Sequence, residues 1–569
     1  MPFWQKYIFS TDHKVIGIQY GISGLFFLLF GFCLMMIMRW QLAYPEQPLP
    51  LIGKLFGDAQ MPGGVMLPEF YNQLGAMHGT IMVFLGVVPL AVGAFGNFVI
   101  PLQIGAPDMC FPKLNMVSYI LFFLGGVTML VSFFVPGGAA SSGWTAYAPL
   151  SVIAPIGQTL WLIGMAFIIN SSLLGSINFA ATIFQLRAKG LTFMRLPFFV
   201  WAQLITSFLL ILAFPPLMGA SVLQLMDRLA HTSFFMPSGL MISGQPLPIS
   251  GGGSVLLWQH LFWFLGHPEV YVLILPGMGI IAEVIANNTR KPIWGYKSMV
   301  YSVIFLGFTS FIVWAHHMYL TGMGTAISAF FQTTTMIISI PSVIILTCLL
   351  ISLWGGSIRF SIPMLFALAW LPMFGIGGLT GLPLGLSAPD IYLHDTYYVI
   401  AHFHYIVAPG TIFALFAGIY YWFPKATGRH MSNILGHLHF WPSLICMNMI
   451  FMPMFIQGMA GMNRRMYDGG AQYANNASVL HFNVSISWAA WILGLAQIPF
   501  IFNFFWSLFH GKKVANDNPW DATTLEWQAP SPPGHGNFLT EPIVYRGPYE
   551  YSVPGSTKDF TPQNQSEVT

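Results

Sequence analysis

Long apolar stretches alternate with short polar ones along almost the whole chain. Twelve of the stretches have the length of a helix that crosses a membrane, which takes about 20 apolar residues. They lie at residues 15–38, 74–100, 116–136, 158–184, 198–223, 255–286, 298–321, 326–354, 363–384, 398–423, 434–458 and 482–510. The pattern predicts an all-α membrane protein, with a bundle of twelve transmembrane helices over residues 1–510 and a tail over residues 511–569.

The composition excludes other classes of protein. Of the 569 residues, 55% are hydrophobic and 7% are charged, which no soluble globular domain shows. The net charge of +3 is too small to indicate a nucleic-acid partner. Four scattered cysteines form no disulfide or CxxC pattern.

Lys and Arg concentrate at both ends of the chain and in every second loop. By the positive-inside rule, that side faces the cytoplasm, so both termini are expected there, in a bacterial inner membrane. The basic side carries Lys6, Lys14, Lys113, Arg187, Lys189, Arg195, Arg290, Lys291, Lys297, Arg359, Lys425, Arg429, Lys512 and Lys513. The other side has mainly Lys54, Arg228, Arg464 and Arg465.

Six histidines fall within apolar stretches or at their ends: His78, His267, His316, His317, His402 and His404. A hydrogen-bonded core position explains one such histidine, but six would each need a partner in a dry interior. Neutral imidazole is a common ligand of copper, iron and zinc, so the sequence predicts buried transition metals.

Helix geometry sorts these histidines. Residues turn by about 100° per step on an α-helix, so His402 and His404 point to nearly opposite faces and serve different metals. His316 and His317 are one step apart and lean toward one metal with modest distortion. Tyr271 follows His267 by four residues, on the same face. We interpret this tyrosine as a redox residue, the alternative being a packing or interfacial tyrosine.

Three long motifs carry a resemblance to a known family. They are Gly266-His-Pro-Glu-Val-Tyr271, Trp314-Ala-His-His-Met318 and His394-Asp-Thr-Tyr-Tyr-Val-Ile-Ala-His-Phe-His404. In this order they resemble subunit I of the heme–copper terminal oxidases, with most similarity to cytochrome c oxidases. The resemblance implies a bundle that encloses two hemes, expected to be of the a type, and one copper ion.

By this resemblance each histidine receives a role. His267, His316 and His317 bind copper, His402 is the axial ligand of a high-spin heme, and His78 and His404 hold a low-spin heme. Tyr271 is cross-linked to His267 in the family and provides a proton and an electron. Other residues match positions around the metals. The resemblance implies that Arg464 and Arg465 pair with heme propionates and that Arg39 lies near a heme formyl group. It also implies that His394 and Asp395 bind magnesium or manganese, with a third ligand from subunit II.

Glu269 is a carboxylate inside an apolar stretch. Such a group is expected to keep its proton near neutral pH, as suits a proton donor, and the alternative is a purely structural carboxylate. The resemblance makes Glu269 the upper end of a proton path that starts at Asp108. Polar positions along this path are Asn97, Asn115, Ser172 and Asn178, and the second Asn often found after Asn115 is Met116 here.

A second proton path of the family is interrupted in this chain. Ile345 stands where relatives have a central lysine, and Ala282 replaces a serine. We hypothesise that Glu283 admits protons to a rerouted path toward Tyr271, along the hydroxyls of Thr335, Ser339 and Ser342. Alternatively, Glu283 is a solvated helix end, and subunit II or the Asp108 path supplies the tyrosine.

The resemblance implies a respiratory oxidase that reduces dioxygen to water, pumps protons, and includes a subunit II with a two-copper centre, a subunit III and small subunits. The expected donor is cytochrome c or a similar soluble protein, because quinol-oxidising relatives carry a histidine where this chain has Phe70. A nitric oxide reductase is disfavoured by Tyr271, and a secondary transporter leaves the six histidines unexplained.

Overall fold

Twelve membrane-length helices form the body of the protein in a computed structural model that describes residues 2–242, 244–246 and 251–566. This confirms the predicted number of spans. In chain order, spans 1 to 12 are His13–Ala43, Pro68–Ile104, Pro112–Phe134, Ile156–Gln185, Phe198–Leu229, Val255–Thr289, Tyr296–Thr321, Thr325–Leu353, Ile362–Gly385, Tyr397–Thr427, Asn433–Met459 and Phe482–His510.

The sixth span is the centre of the bundle. In its most apolar segment 89% of the residues are buried, against 28% in the first and twelfth spans, whose outer faces are apolar and suited to lipid. Close approach to the fifth span depends on Gly279, because a Cβ there would lie 2.7 Å from the Cα of Phe199. Small residues at such crossings let membrane helices pack tightly.

Four departures from α-helical geometry lie near or include predicted metal ligands. His78 is followed by π-helical turns at Ile81–Val87 and Pro89–Ala94, and His404 by another at Val407–Ile412. His316 and His317 lie in a 3₁₀ segment, Trp314–Thr321. Such irregular turns inside membrane helices are frequent at functional sites.

The tail after the twelfth span packs against the basic side of the bundle. Backbone bridges join Ile543 to Lys189 and Lys513 to Arg429, so the tail touches the loops after spans 4 and 10. Its short 3₁₀ turn, Leu525–Gln528, is buried. A two-stranded antiparallel pair, Met241–Ile242 with Gln245–Pro246, lies in the long loop after span 5.

Candidate active site

Three histidines converge at the centre of the bundle. His267 comes from span 6, and His316 and His317 come from the 3₁₀ segment of span 7. One ligand nitrogen of each lies within 4.8 Å of the other two. Among the described residues, this is the only group of three or more His, Cys, Asp or Glu side chains that converges in this way. The arrangement fits one transition-metal ion bound by neutral imidazoles.

Neighbouring side chains fix the orientation of these rings. Thr335 of span 8 lies 2.9 Å, Oγ1 to Nδ1, from His316. The indole of Trp263 stacks on His317 with ring centroids 3.8 Å apart. Such supporting contacts hold a metal ligand in one orientation and one tautomer.

Tyr271 is adjacent to the triad, as its spacing predicted. Its hydroxyl lies 3.0 Å from Nε2 of His267, while Nδ1 of the same ring faces His317 at 3.4 Å. One edge of the His267 ring therefore faces the other two histidines and the opposite edge faces the tyrosine. This geometry is compatible with the cross-link expected from the resemblance.

The other three histidines share a different pattern. In each, Nδ1 lies close to a backbone carbonyl oxygen: 2.8 Å from Gly31 for His78, 2.9 Å from Gly377 for His402, and 2.8 Å from Ile400 for His404. The Nδ1–H therefore donates to the carbonyl, and Nε2 is the nitrogen available to a metal. This is the chemistry expected of axial heme ligands.

Arg39 has an unsatisfied donor in the interior. Its Nε donates to Ser487 at 2.9 Å and its Nη2 donates to the Asn483 carbonyl at 2.9 Å. The residue is 1% exposed, and Nη1 has no hydrogen-bond partner among the described residues. A buried donor of this kind indicates a missing acceptor, which a heme formyl oxygen would supply.

The predicted propionate and magnesium residues meet on the side opposite the tail. Asp395 pairs with Arg464, and His394 lies 3.8 Å from Asp395 and 3.5 Å from Asp390. Burial disfavours ionisation of Asp395, but the charges of Arg464, His394 and Arg465 outweigh it and hold its pKa below the ordinary value. Asp390, which carried no signal in the sequence, adds a second carboxylate near this pair.

Glu269 is 2% exposed, and neither carboxylate oxygen has a hydrogen-bond partner among the described residues. A structural carboxylate would be expected to accept hydrogen bonds from its surroundings. The missing partners therefore favour contact with internal water over the purely structural alternative.

Part of the predicted proton path lies at one cavity. Asn115 donates to Asn97 at 2.6 Å, and a cavity begins beside Asn97. Ser172 lines this cavity, as do three residues that the sequence reasoning missed, namely Tyr20, Ser118 and Ser171. Asn178 lies apart from the cavity lining and holds the backbone of Phe111, near Asp108. The missed residues sit singly in apolar helices, so no motif marks them.

The residues of the rerouted path are only partly brought together. The Thr335 hydroxyl is in hydrogen-bond contact with His316, and the Ser339 hydroxyl lies 3.4 Å from the Thr335 carbonyl oxygen. Ile345 is fully buried in the same helix. Glu283 instead accepts from Tyr549 of the tail and from the backbone of Phe199, so its contacts do not lead to Ser342. At 3% exposure, Glu283 is not a solvated helix end, and that alternative is wrong.

Comparisons with known proteins show the family of the chain. A solved heme–copper terminal oxidase dimer shares the fold, with a TM-score of 0.71 and 18% identity over 88% of this chain and 84% of that one. A family model described as cytochrome c and quinol oxidase polypeptide I matches residues 15–494. The chain belongs to this family.

Individual relatives match almost the whole chain. The alternative cytochrome c oxidase subunit 1 of Bradyrhizobium diazoefficiens is 44% identical, over 100% of this chain and 94% of that protein. Subunit 1 from Synechocystis sp. is also 44% identical, over 97% and 93%. The Bacillus subtilis subunit is 40% identical, over 95% and 81%. The chain is thus an integral membrane oxidoreductase of the cytochrome c oxidase type, whose family implies heme, copper and further oxidase subunits.

Proposed function

We propose that this chain is the catalytic subunit of a respiratory oxidase that reduces dioxygen to water and pumps protons across a bacterial inner membrane. Electrons would come from cytochrome c through a two-copper centre in subunit II. The observation that carries the proposal is the convergence of His267, His316 and His317, with the Tyr271 hydroxyl 3.0 Å from His267. Both chain termini are proposed to be cytoplasmic.

The cofactors supply the redox chemistry, and the chain positions them and handles protons. Two a-type hemes and one copper ion would transfer electrons and reduce dioxygen when bound. His78 and His404 would together hold one heme, and His402 would hold the other. Arg464, Arg465 and Arg39 would orient the heme edges, and His394 with Asp395 would bind magnesium or manganese together with subunit II.

Protons would reach the site through two routes. Asp108 takes up protons, Asn97 and Asn115 lead them to the cavity, and internal water connects the cavity to Glu269. We propose a second uptake at Glu283 that serves Tyr271, passing Thr335, Ser339 and Ser342. Because Glu283 faces span 5 and the tail, this route requires internal water between span 6 and span 8.

The first experiment tests the reaction and its donor. The purified complex is expected to show two spectrally distinct hemes and to consume oxygen with reduced cytochrome c but not with a quinol. Tyr271→Phe is expected to keep the hemes and copper but to lose oxygen consumption, while Tyr119→Phe, a tyrosine bonded to Ser23 away from the triad, keeps both. Full activity of Tyr271→Phe, or activity with quinol alone, would contradict the proposal.

The second experiment tests the uptake routes. Reduction of the oxidised heme–copper site is compared in Glu283→Gln, Ser342→Ala and Asp108→Asn. Slow reduction in the first two with normal reduction in the third supports the rerouted path. Normal reduction in Glu283→Gln refutes it.

A further inference from the structure

Two carboxylates are buried together at the tail side of span 6. Glu283, near the end of that span, is 3% exposed, and Glu526, in the tail, is 0% exposed. Contacts link the two carboxylates: Glu526 accepts from the Trp422 indole, the Trp422 ring lies 5.7 Å from that of Phe199, and Glu283 accepts from the Phe199 N–H. Their charges therefore repel one another. In the part of the chain that the structure describes, neither forms an ion pair, so no cation is bound directly to either acid.

Glu283 is held only by neutral donors. Its Oε1 accepts from the Tyr549 hydroxyl at 2.6 Å and from the backbone N–H of Phe199 at 3.3 Å. The tyrosine belongs to the tail, and the phenylalanine is the second residue of span 5. The carboxylate therefore connects the tail to the core of the bundle, and the tail determines its orientation.

Glu526 is also surrounded by neutral groups. Its Oε1 accepts from Gln103 at 3.1 Å and from the Trp422 indole at 3.4 Å. Its Oε2 is buried without a partner, and so is the Oε1 of Gln103. These two acceptor oxygens therefore lack a hydrogen-bond donor. A proton on the carboxyl group or a water molecule would supply one.

The surrounding titratable groups do not balance two negative charges. Lys425 is the cation that faces Glu526, but its ammonium donates to the carbonyls of Asp517 and Ala529. The other titratable groups that face the pair are tyrosine hydroxyls, from Tyr296, Tyr421 and Tyr549. Burial raises the pKa of Glu526 above its ordinary value. Two ionised carboxylates without a counter-ion are costly in such a place, so at least one of them holds a proton.

We propose that Glu283 and Glu526 share one proton and together form the proton-loading pair of the tail side, with Tyr549 as a positioning residue. This inference extends the proposed proton uptake at Glu283. It rests on that proposal only for the destination of the proton, which is Tyr271. In chemical terms, one carboxyl donates its O–H toward the other carboxylate through water, since no direct hydrogen bond joins the two among the described residues. Loss of the proton toward the active site leaves both ionised, and uptake from the cytoplasm restores the shared state.

The test is infrared spectroscopy of the carboxyl groups in the intact purified complex, titrated with pH and compared in H₂O and D₂O. The variants are Glu283→Gln, Glu526→Gln and the double variant, and Glu541→Gln replaces an exposed tail carboxylate as the control. We expect a deuterium-sensitive carboxyl band that titrates in the wild type and in the control. Both single variants and the double variant should lose that titration alike, because the two sites are coupled.

Other results would overturn the proposal. It fails if Glu283→Gln and Glu526→Gln remove different carboxyl bands and the double variant shows the sum of the two losses. It also fails if Glu526→Gln leaves the carboxyl band of Glu283 unaltered. Heme spectra verify assembly of each variant, and the wild-type band alone remains informative if a variant does not assemble. Tyr549→Phe should shift the titration without removing it, and an unshifted titration refutes its positioning role.

The same variants separate this inference from the proposed route. If the band behaves as expected but Glu283→Gln reduces its heme–copper site at the normal rate, the pair exists and the route is wrong. If Glu283→Gln slows that reduction about 10-fold while Glu526→Gln changes neither rate nor band, the route stands and the pair is wrong.

Discussion

Thr335 offers a sharp test of how the triad is built. If His316 binds copper through Nε2, its Nδ1 carries a hydrogen and donates it to Thr335 Oγ1, 2.9 Å away. Thr335→Val keeps the shape of the side chain and removes the acceptor. Thr335→Ser keeps the hydroxyl. The first variant should weaken copper binding, and the second should preserve it.

The magnitude follows from the loss of one buried partner. A buried donor left without an acceptor costs about 1–3 kcal/mol. Thr335 is half-buried, so water relieves part of that penalty, and the lower half of the range, about 1–2 kcal/mol, applies. Since each 1.4 kcal/mol corresponds to a factor of ten, copper affinity should fall about 5- to 30-fold.

The assay is a chelator competition that measures copper content per heme. Thr333→Val is the matched control, because this hydroxyl lies on the same helix, is exposed, and bonds only to the carbonyl of Ala329. Heme spectra should be unchanged in all three variants. If Thr335→Val retains copper as well as the wild type at every chelator concentration, Thr335 does not support His316 and the proposed tautomer is wrong.

Three further predictions concern other parts of the site. His78→Ala should abolish the low-spin heme signal and keep copper, and a full low-spin spectrum in this variant would refute the ligand assignment. Glu269→Gln, and Asp108→Asn at the mouth of the same path, should assemble with both hemes and lose at least ~10-fold in oxygen consumption, whereas wild-type turnover would assign a structural role to Glu269. The raised pKa of Glu526 means that its protonated form is favoured in the folded state, so its contribution to stability is present at low pH and is lost as the pH rises through that raised value. Thermal unfolding temperatures should therefore fall with increasing pH more steeply in the wild type than in Glu526→Gln. Equal slopes of unfolding temperature against pH would contradict this prediction.

The fold was predictable because hydrophobic length is a direct physical requirement of the bilayer. Each of the twelve predicted stretches overlaps one helix, and the largest shift at a beginning is in span 2, which starts at Pro68 and not at residue 74. The first turns of that helix contain Pro68, Glu69 and Asn72, so they fall outside a purely apolar window. Proline at the first helical position is favourable, which is a signal that hydropathy alone does not register.

The histidines were predictable for a similar reason. Imidazole in an apolar helix is costly, so its presence indicates a ligand, and the angle between positions on a helix shows which histidines share a metal. The 3₁₀ segment explains how adjacent His316 and His317 approach one ion together. Residues such as Tyr20, Ser118 and Ser171 were not predictable, since single hydroxyls are common in membrane helices, and these three meet only where three helices bring them together.

The contacts of Glu283 with the tail could not be predicted from the geometry of its own helix. Helical geometry places Ala282, eleven residues after Tyr271, on the same face as the tyrosine, and Glu283 about 100° further round. That rotation directs Glu283 away from span 8 and toward Phe199 and the tail, where Tyr549 binds it. The tail residues lie more than 240 positions away in sequence and have no membrane pattern, so only the folded chain reveals the contact. Glu283, which we propose as a site of proton uptake, is therefore buried near a second carboxylate, Glu526 of the tail, and the two must be tested together.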